Sequence, residues 1–130
     1  MKMSSNTVKI VSVNCQGLDD PHKRRDVFHY LSKKSYSINL LQDTHFDLKL
    51  ENCIRAEWGY KCYFASYNSS SRGVAVLFHN NLDFSVKKVY KDIAENYVFV
   101  AVEMMDKDFL IVCMGLTGMI LSFMLNLKNE

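Results

Sequence analysis

Apolar and polar positions along this chain fall into short runs, and two of these runs predict strands that end on polar side chains. Residues 8–13 are rich in β-branched side chains, and residues 38–41 form a mostly apolar run. Both have the length and composition of strands. The first run leads into Asn14 and the second into Gln42 and Asp43. Open sheets hold ligands and metals at the carboxyl ends of strands, so the pattern predicts a site there, although a solvated strand end gives the same pattern.

A helix is predicted between these two strands, from Asp20-Pro21 to Lys34. Asp20 can cap free amide groups, and Pro21 fits the first helical position, where its missing N–H is not needed. The apolar positions that follow recur with a helical period. Residues 46–57 predict a loop and a short helix.

The rest of the chain is predicted to consist mainly of strands, separated by turns. These strands cover residues 60–65, 73–79, 84–90, 97–103 and 109–112. An early strand–helix–strand unit followed by a meander indicates an α/β (α+β layered) fold with two packed sheets. The length of 130 residues fits one domain.

Composition and charge exclude few classes of function. The net charge of +2 is too small to indicate nucleic-acid binding by itself. Basic residues cluster, and each cluster is either a solvated face or a phosphate-binding surface. The clusters are Lys23-Arg24-Arg25, Lys33-Lys34 and Lys87-Lys88. A polyanionic partner is therefore permitted.

The four cysteines lack the paired spacing of a zinc site, which predicts free thiols. The first six residues contain no apolar core of the kind that a signal peptide needs. Together these features predict an intracellular protein of the cytoplasm or nucleus.

Three motifs follow one another along the chain: Ser-Val-Asn-Cys-Gln-Gly-Leu at 12–18, Leu-Leu-Gln-Asp-Thr-His at 40–45 and Ser-Arg-Gly-Val-Ala-Val-Leu-Phe at 71–78. In this order they resemble the endonuclease/exonuclease/phosphatase superfamily, whose fold abasic-site endonucleases share with the nuclease domains of non-LTR (LINE-type) retrotransposon reverse transcriptases. The retrotransposon branch looks most similar. The resemblance covers residues 8–113 and implies the amino-terminal half of a four-layer α/β sandwich with two mainly antiparallel sheets, the second half being missing.

The resemblance also implies roles for individual residues. Asn14 and Asp43 would be catalytic and would ligate Mg²⁺ or Mn²⁺, and Asn14 and Arg72 would bind substrate. Gln42 and Thr44 would hold Asp43 in position. The family usually has a glutamate where this chain has Asp43, and the shorter side chain is expected to weaken metal binding. DNA is the implied partner, with no small-molecule cofactor. His22, His45 and His79 have no partner at nucleophile spacing and are interpreted as structural or surface residues.

The resemblance ends after residue 113, where Gly115 stands in place of a family tyrosine. The later Asp-x-Asn pair, the acid that orients a catalytic histidine and the closing Ser-Asp-His have no counterpart in these residues. We therefore expect a nuclease domain over 1–113 that is truncated and inactive, followed by an unrelated apolar tail over 114–130. Strands such as 97–102 are expected to present apolar faces and open edges, which would make a monomer only marginally stable.

Two alternatives remain open at this point. The chain could be a catalytically dead half-domain that binds nucleic acid or protein. It could also associate with a membrane through residues 109–127, which carry no charge over a length close to a membrane span. Gly115, Gly118, Ser122 and Asn126 dilute that segment and disfavour a span.

Overall fold

The computed structural model describes residues 8–68, 71–115 and 118–122. In chain order the described elements are β1 (Ile10–Asn14), α1 (Pro21–Lys34), β2 (Ile38–Gln42), α2 (Leu48–Trp58), β3 (Cys62–Ala65), β4 (Val74–Phe78), β5 (Ser85–Asp92), β6 (Tyr97–Met104), β7 (Lys107–Met114) and β8 (Gly118–Ser122). The expectations for the amino terminus and for residues 123–130 lie outside this part of the chain.

The strands form two four-stranded sheets, with the orders β1-β2-β4-β3 and β5-β6-β7-β8. β1 and β2 are parallel, and α1 connects them, as the strand–helix–strand pattern predicts. The other strand pairs are antiparallel. The predicted fold class, α+β layers with two packed and mainly antiparallel sheets, is confirmed.

The core lies in two layers, one on each face of the first sheet. Leu40 and Val76 from this sheet pack against Val100 and Ile111 from the second sheet. On the opposite face, apolar side chains of the first sheet pack against the two helices; Leu41, Leu77, Phe28, Leu31 and Ile54 form the centre of this layer. All five residues of β2 are buried, because the strand is covered on both faces.

The helix predicted over residues 20–34 is confirmed together with its cap. The Asp20 carboxylate accepts a hydrogen bond from the Lys23 amide at 3.2 Å, and Pro21 is the first helical residue. The second helix begins after Asp47, whose carboxylate accepts from the Leu50 amide at 2.9 Å. Both caps satisfy amide groups that a helix leaves without partners at its start.

The expectation that residues 97–102 present an open edge is wrong, whereas Tyr97 and Phe99, on the face turned away from the first sheet, are only half-buried. These residues belong to β6, which pairs with β5 on one side and β7 on the other. Val98, Val100 and Val102 are at most 1% exposed, because they face the first sheet. β6 is therefore an interior strand of the second sheet.

The uncharged segment 109–127 forms strands as far as it is described. Residues 109–114 belong to β7, and Gly118–Ser122 pairs with β7 as an antiparallel strand. Among the described residues, no helix is long and apolar enough to cross a membrane.

Arg24, in the middle of a predicted basic cluster, is buried between the two helices. Its Nε and Nη2 atoms donate to the two carboxylate oxygens of Glu57 at 2.7 and 2.9 Å. Its Nη1 atom donates to the carbonyl oxygens of Leu18 and Asp19 at 3.0 and 3.2 Å. This guanidinium joins α1 to α2 and is not available to a phosphate.

Arg24→Ala is expected to lower the free energy of unfolding by about 2 kcal/mol, because it leaves buried acceptors without their charged donor. Arg25→Ala removes the same charge from an exposed neighbour and is the matched control. Urea unfolding of the two variants measures the difference. Equal unfolding midpoints would contradict a structural role for Arg24.

Candidate functional site

The polar strand ends meet at an open cleft of about 770 Å³. The cleft lies where β1 and β2 end, beside the loop that enters β4 and the turn between β5 and β6. Its lining residues are Asn14, Asp43, Ser71, Arg72, Ala94, Glu95, Asn96, Met114 and Gly115. Three side chains that sequence reasoning selected from separate motifs, Asn14, Asp43 and Arg72, therefore share one cavity.

Strand register brings Asn14 and Asp43 to the same edge. Asn14 pairs with Gln42 in the parallel ladder, so Asp43 is the next residue beyond that pair. Backbone pairing continues past the strands, since the Gly17 amide donates to the Asp43 carbonyl at 2.8 Å. The loops that follow the two strands are thus fixed against each other.

The loop that carries Arg72 is fixed to the same place by backbone hydrogen bonds. The Thr44 amide donates to the Gly73 carbonyl at 3.0 Å, and the His45 amide donates to the Arg72 carbonyl at 2.8 Å. The segment 43–45 therefore lies between the other two loops and sets the relative position of all three.

Several side chains at this cleft extend from left-handed backbone. Asp43, Arg72 and Asn96 have φ values of 55°, 62° and 61°. Such conformations cost non-glycine residues about 1–2 kcal/mol each and persist where surrounding contacts enforce them. Here the enforcing contacts are the hydrogen bonds between the loops.

Asp43 is oriented by a histidine that the sequence interpretation set aside. His45 Nε2 lies 2.8 Å from Asp43 Oδ1, and His45 Nδ1 lies 3.9 Å from Asp19 Oδ1. Gly17 leaves room for this ring, because a Cβ atom at position 17 would lie 2.8 Å from His45 Nδ1. The spacing of two residues between Asp43 and His45 is the only sequence signal for this pair.

Gln42 and Thr44 were expected to hold Asp43 in position, but no side-chain hydrogen bond joins either of them to Asp43 among the described residues. Gln42 Nε2 donates to Ser12 Oγ at 2.9 Å and lies 3.7 Å from Cys113 Sγ, between the two sheets. The Thr44 side chain is fully buried, and its Oγ1 has no hydrogen-bond partner among the described residues. Alternation along β2 directs Gln42 into the core, and the described side chain in contact with the Asp43 carboxylate is that of His45.

The Asn14 side chain stabilises a turn and still has hydrogen-bonding capacity left for a ligand. Its Oδ1 accepts a hydrogen bond from the Gln16 amide at 3.2 Å, which stabilises the turn after β1. A carboxamide has a second lone pair and two N–H donors, so the turn leaves capacity for a ligand. Lys23 Nζ donates to the carbonyls of Cys15 and Gln16 at 3.0 and 3.2 Å and holds the same turn.

Arg72 is exposed at the edge of the cleft. Its guanidinium carbon lies 4.8 Å from the centre of the Tyr67 ring, and Nη1 donates weakly to the Ala94 carbonyl at 3.4 Å. Most of its five N–H donors have no partner among the described residues, and a guanidinium matches the geometry of a phosphate.

The turn between β5 and β6 contributes residues that sequence reasoning missed. Asn96 Oδ1 accepts from the Gly73 amide at 3.2 Å, which ties this turn to the Arg72 loop. Asn96 also packs against Gly115 so closely that a Cβ atom there would overlap its amide. Asn96 thus occupies the space that a side chain at position 115 would need. Position 115 is the one at which the resembled superfamily has a tyrosine.

The donor atoms of this cleft suit a hard cation held largely by water. Among the described residues, no group of three or more histidine, cysteine, aspartate or glutamate side chains could hold a metal. Asp43 and Asn14 offer oxygen ligands, and Mg²⁺ in proteins is often bound by one or two carboxylates with water completing its shell. The residues fit Mg²⁺ in that manner.

The buried cysteines are not nucleophiles. Cys15, Cys53, Cys62 and Cys113 are free thiols, as predicted. Burial raises the pKa of Cys15 and that of Cys113 to about 12. Because the thiolate is the reactive form, both thiols are expected to be unreactive near neutral pH.

Comparisons with known proteins agree with the fold. No family model matches the chain. The chain is 30% identical over 74 residues to the transposon TX1 uncharacterized 149 kDa protein of Xenopus laevis. These 74 residues make up 57% of this chain and 6% of that protein. It superposes on the crystal structure of D. rerio TDP2 humanized by 14 mutations with a TM-score of 0.60 and 13% identity, covering 81% of this chain and 48% of that one. The chain therefore shares the fold of that structure, and it spans less than half of either protein.

Proposed function

We propose that this chain carries the phosphate- and metal-binding part of a Mg²⁺-dependent phosphodiesterase site of retrotransposon type. The ancestral reaction is the hydrolysis, or nicking, of a DNA phosphodiester bond. The observation that carries the proposal is the meeting of Asn14, Asp43 and Arg72 in one cleft. The similarity to a transposon protein over 74 residues supports the retrotransposon origin.

Each of the three side chains has a distinct task in this proposal. Asp43 and Asn14 hold Mg²⁺, or Mn²⁺ in its place, and Arg72 binds a phosphate oxygen. The cation, when bound, neutralises charge on the phosphate and activates a water molecule. His45 keeps the Asp43 carboxylate at a fixed place in the cleft, since its Nε2 lies 2.8 Å from Asp43 Oδ1.

The 130-residue polypeptide is proposed to bind nucleic acid without cleaving it. The family's catalytic histidine and its acidic partner come from motifs that have no counterpart in these residues. Catalytic groups that act as a unit are strongly non-additive, so a site with only its binding part has negligible activity. The shorter Asp43 side chain lowers metal affinity further.

DNA binding in the cleft is expected to depend on Arg72 and on salt. Arg72→Ala should weaken the binding of a short duplex of arbitrary sequence and reduce the slope of log K against log salt by about one. Arg25→Ala removes an equal charge from a separate groove between α1 and α2 and is the control. Fluorescence anisotropy at several salt concentrations measures both quantities.

Cleavage is tested in parallel with supercoiled plasmid in Mg²⁺ and in Mn²⁺. No nicking above the protein-free background is expected. Metal-dependent nicking that Asp43→Ala abolishes would overturn the claim of inactivity. Equal binding by the Arg72 and Arg25 variants would overturn the assignment of the cleft.

A further inference from the structure

An exposed aromatic ring lies beside the proposed phosphate-binding arginine. Tyr67 is 45% exposed, although it lies only two residues after the buried end of β3. The Arg72 guanidinium carbon lies 4.8 Å from the centre of its ring. The same guanidinium lines the cleft with Asn14 and Asp43, so the ring is adjacent to the place where a phosphate would bind.

The loop between β3 and β4 is built so that this pair stays together. Asn68 and Ser71 form an isolated antiparallel bridge. The Asn68 carboxamide oxygen also accepts from the Ser71 amide at 2.9 Å. Tyr67 and Arg72 are the residues immediately outside this bridge, which therefore closes the loop and brings them side by side.

We propose that Tyr67 is a stacking platform for an unpaired nucleobase whose neighbouring phosphate is bound by Arg72. The inference rests on the proposed function and adds a substrate class to it: single-stranded or locally opened nucleic acid. A base in a duplex is covered on both faces by its neighbours, so only an unstacked base can lie on the ring.

The chemistry of the pair favours a base over other occupants. The guanidinium lies over one face of the Tyr67 ring, so a base would stack on the opposite face. The pair then offers a π surface and a positive charge within the span of one nucleotide. Every base has a π face, so the platform does not select a sequence.

The test compares two fluorescent single strands of equal length and equal phosphate number, an oligo(dT) and an abasic strand with the same backbone. The full 130-residue chain should bind oligo(dT) about tenfold more tightly than the abasic strand, because only the former can stack. Tyr67→Ala should abolish this preference, so that the variant binds the two strands equally. Tyr67→Phe keeps the ring and should retain the preference.

Tyr90→Ala is the matched control. Tyr90 is also 45% exposed and has Lys88 Nζ 5.2 Å from its ring centre, but it lies on β5, and Lys88, unlike Arg72, does not line the cleft. Its replacement should leave the preference for oligo(dT) intact. The control thus separates a platform at the cleft from non-specific stacking on any exposed tyrosine.

Each possible result identifies which proposal fails. Equal affinity for the two strands in the unaltered chain, or a preference that survives Tyr67→Ala, overturns the stacking platform while DNA binding through Arg72 stands. Equal loss of preference in the Tyr67 and Tyr90 alanine variants also overturns it. No binding of either strand overturns the proposed function and the platform together.

Discussion

Alanine in place of Gly73 is expected to lower the free energy of unfolding by about 3 kcal/mol, because it combines backbone strain with a steric clash. Gly73 has a φ of +99°, which residues with a Cβ atom rarely adopt. A Cβ atom at this position would lie 2.5 Å from Thr44 Oγ1 and 3.5 Å from the His45 amide nitrogen. The clash is with Thr44, which is fully buried and cannot move away freely, whereas the distance to the His45 nitrogen is an ordinary van der Waals contact.

The same substitution is expected to remove DNA binding that depends on Arg72. Gly73 follows Arg72 directly, and its amide donates to Asn96 Oδ1 at 3.2 Å. Displacing this backbone moves the guanidinium away from Asn14 and Asp43. Urea unfolding and anisotropy binding on the same preparation measure the two effects.

Gly59→Ala is the control that separates strain from the clash. Gly59 has a φ of +85° at the end of α2, and a Cβ atom there would meet nothing within 4 Å. We expect this variant to lose only about 1 kcal/mol, through the left-handed backbone alone. Equal destabilisation by the two alanines would contradict the claim that close packing of the loops requires Gly73.

Asp43→Ala is expected to reduce the affinity of the chain for Mn²⁺ by about 100-fold, the upper end of the loss seen when groups around a metal site are removed. Asp43 is the carboxylate that the proposal assigns to the cation, and Asn14 supplies a neutral oxygen that cannot replace its charge. Calorimetry with Mn²⁺, or relaxation of water protons by the bound ion, measures the Mn²⁺ affinity independently of any catalytic activity.

Glu95→Gln is the control for this experiment. Glu95 is a carboxylate on the opposite wall of the same cleft, in the turn between β5 and β6. Its neutralisation should change Mn²⁺ affinity only slightly if Asp43 is the ligand. A larger loss from Glu95→Gln than from Asp43→Ala would show that the cation lies elsewhere in the cleft.

The parts of the site that sequence reasoning predicted are those that depend on strand ends. Asn14 and Asp43 end two strands that α1 makes parallel, so their meeting follows from the pattern and from the connection between them. The placement of Arg72 came from the resemblance to a family, since no local periodicity gives the position of a loop.

The parts that sequence reasoning missed depend on tertiary packing. His45 contacts Asp43 only because both residues adopt left-handed backbone, with φ values of 60° and 55°. Asn96 reaches the cleft because the second sheet packs across the first, which no property of residues 92–96 predicts. Arg24 belongs to a run of three basic residues, and its burial depends on Glu57, which lies on the other helix.

The most direct test of the proposed site is an ¹⁵N NMR titration of the chain with oligo(dT) in the presence of Mg²⁺. The account predicts that the shifted amides concentrate in the loops 14–17, 43–45 and 72–73 and in the turn 94–96. Shifts confined to the groove between α1 and α2, which Arg25, His29 and Trp58 line, would contradict it. The absence of any shift at millimolar ligand would contradict it equally.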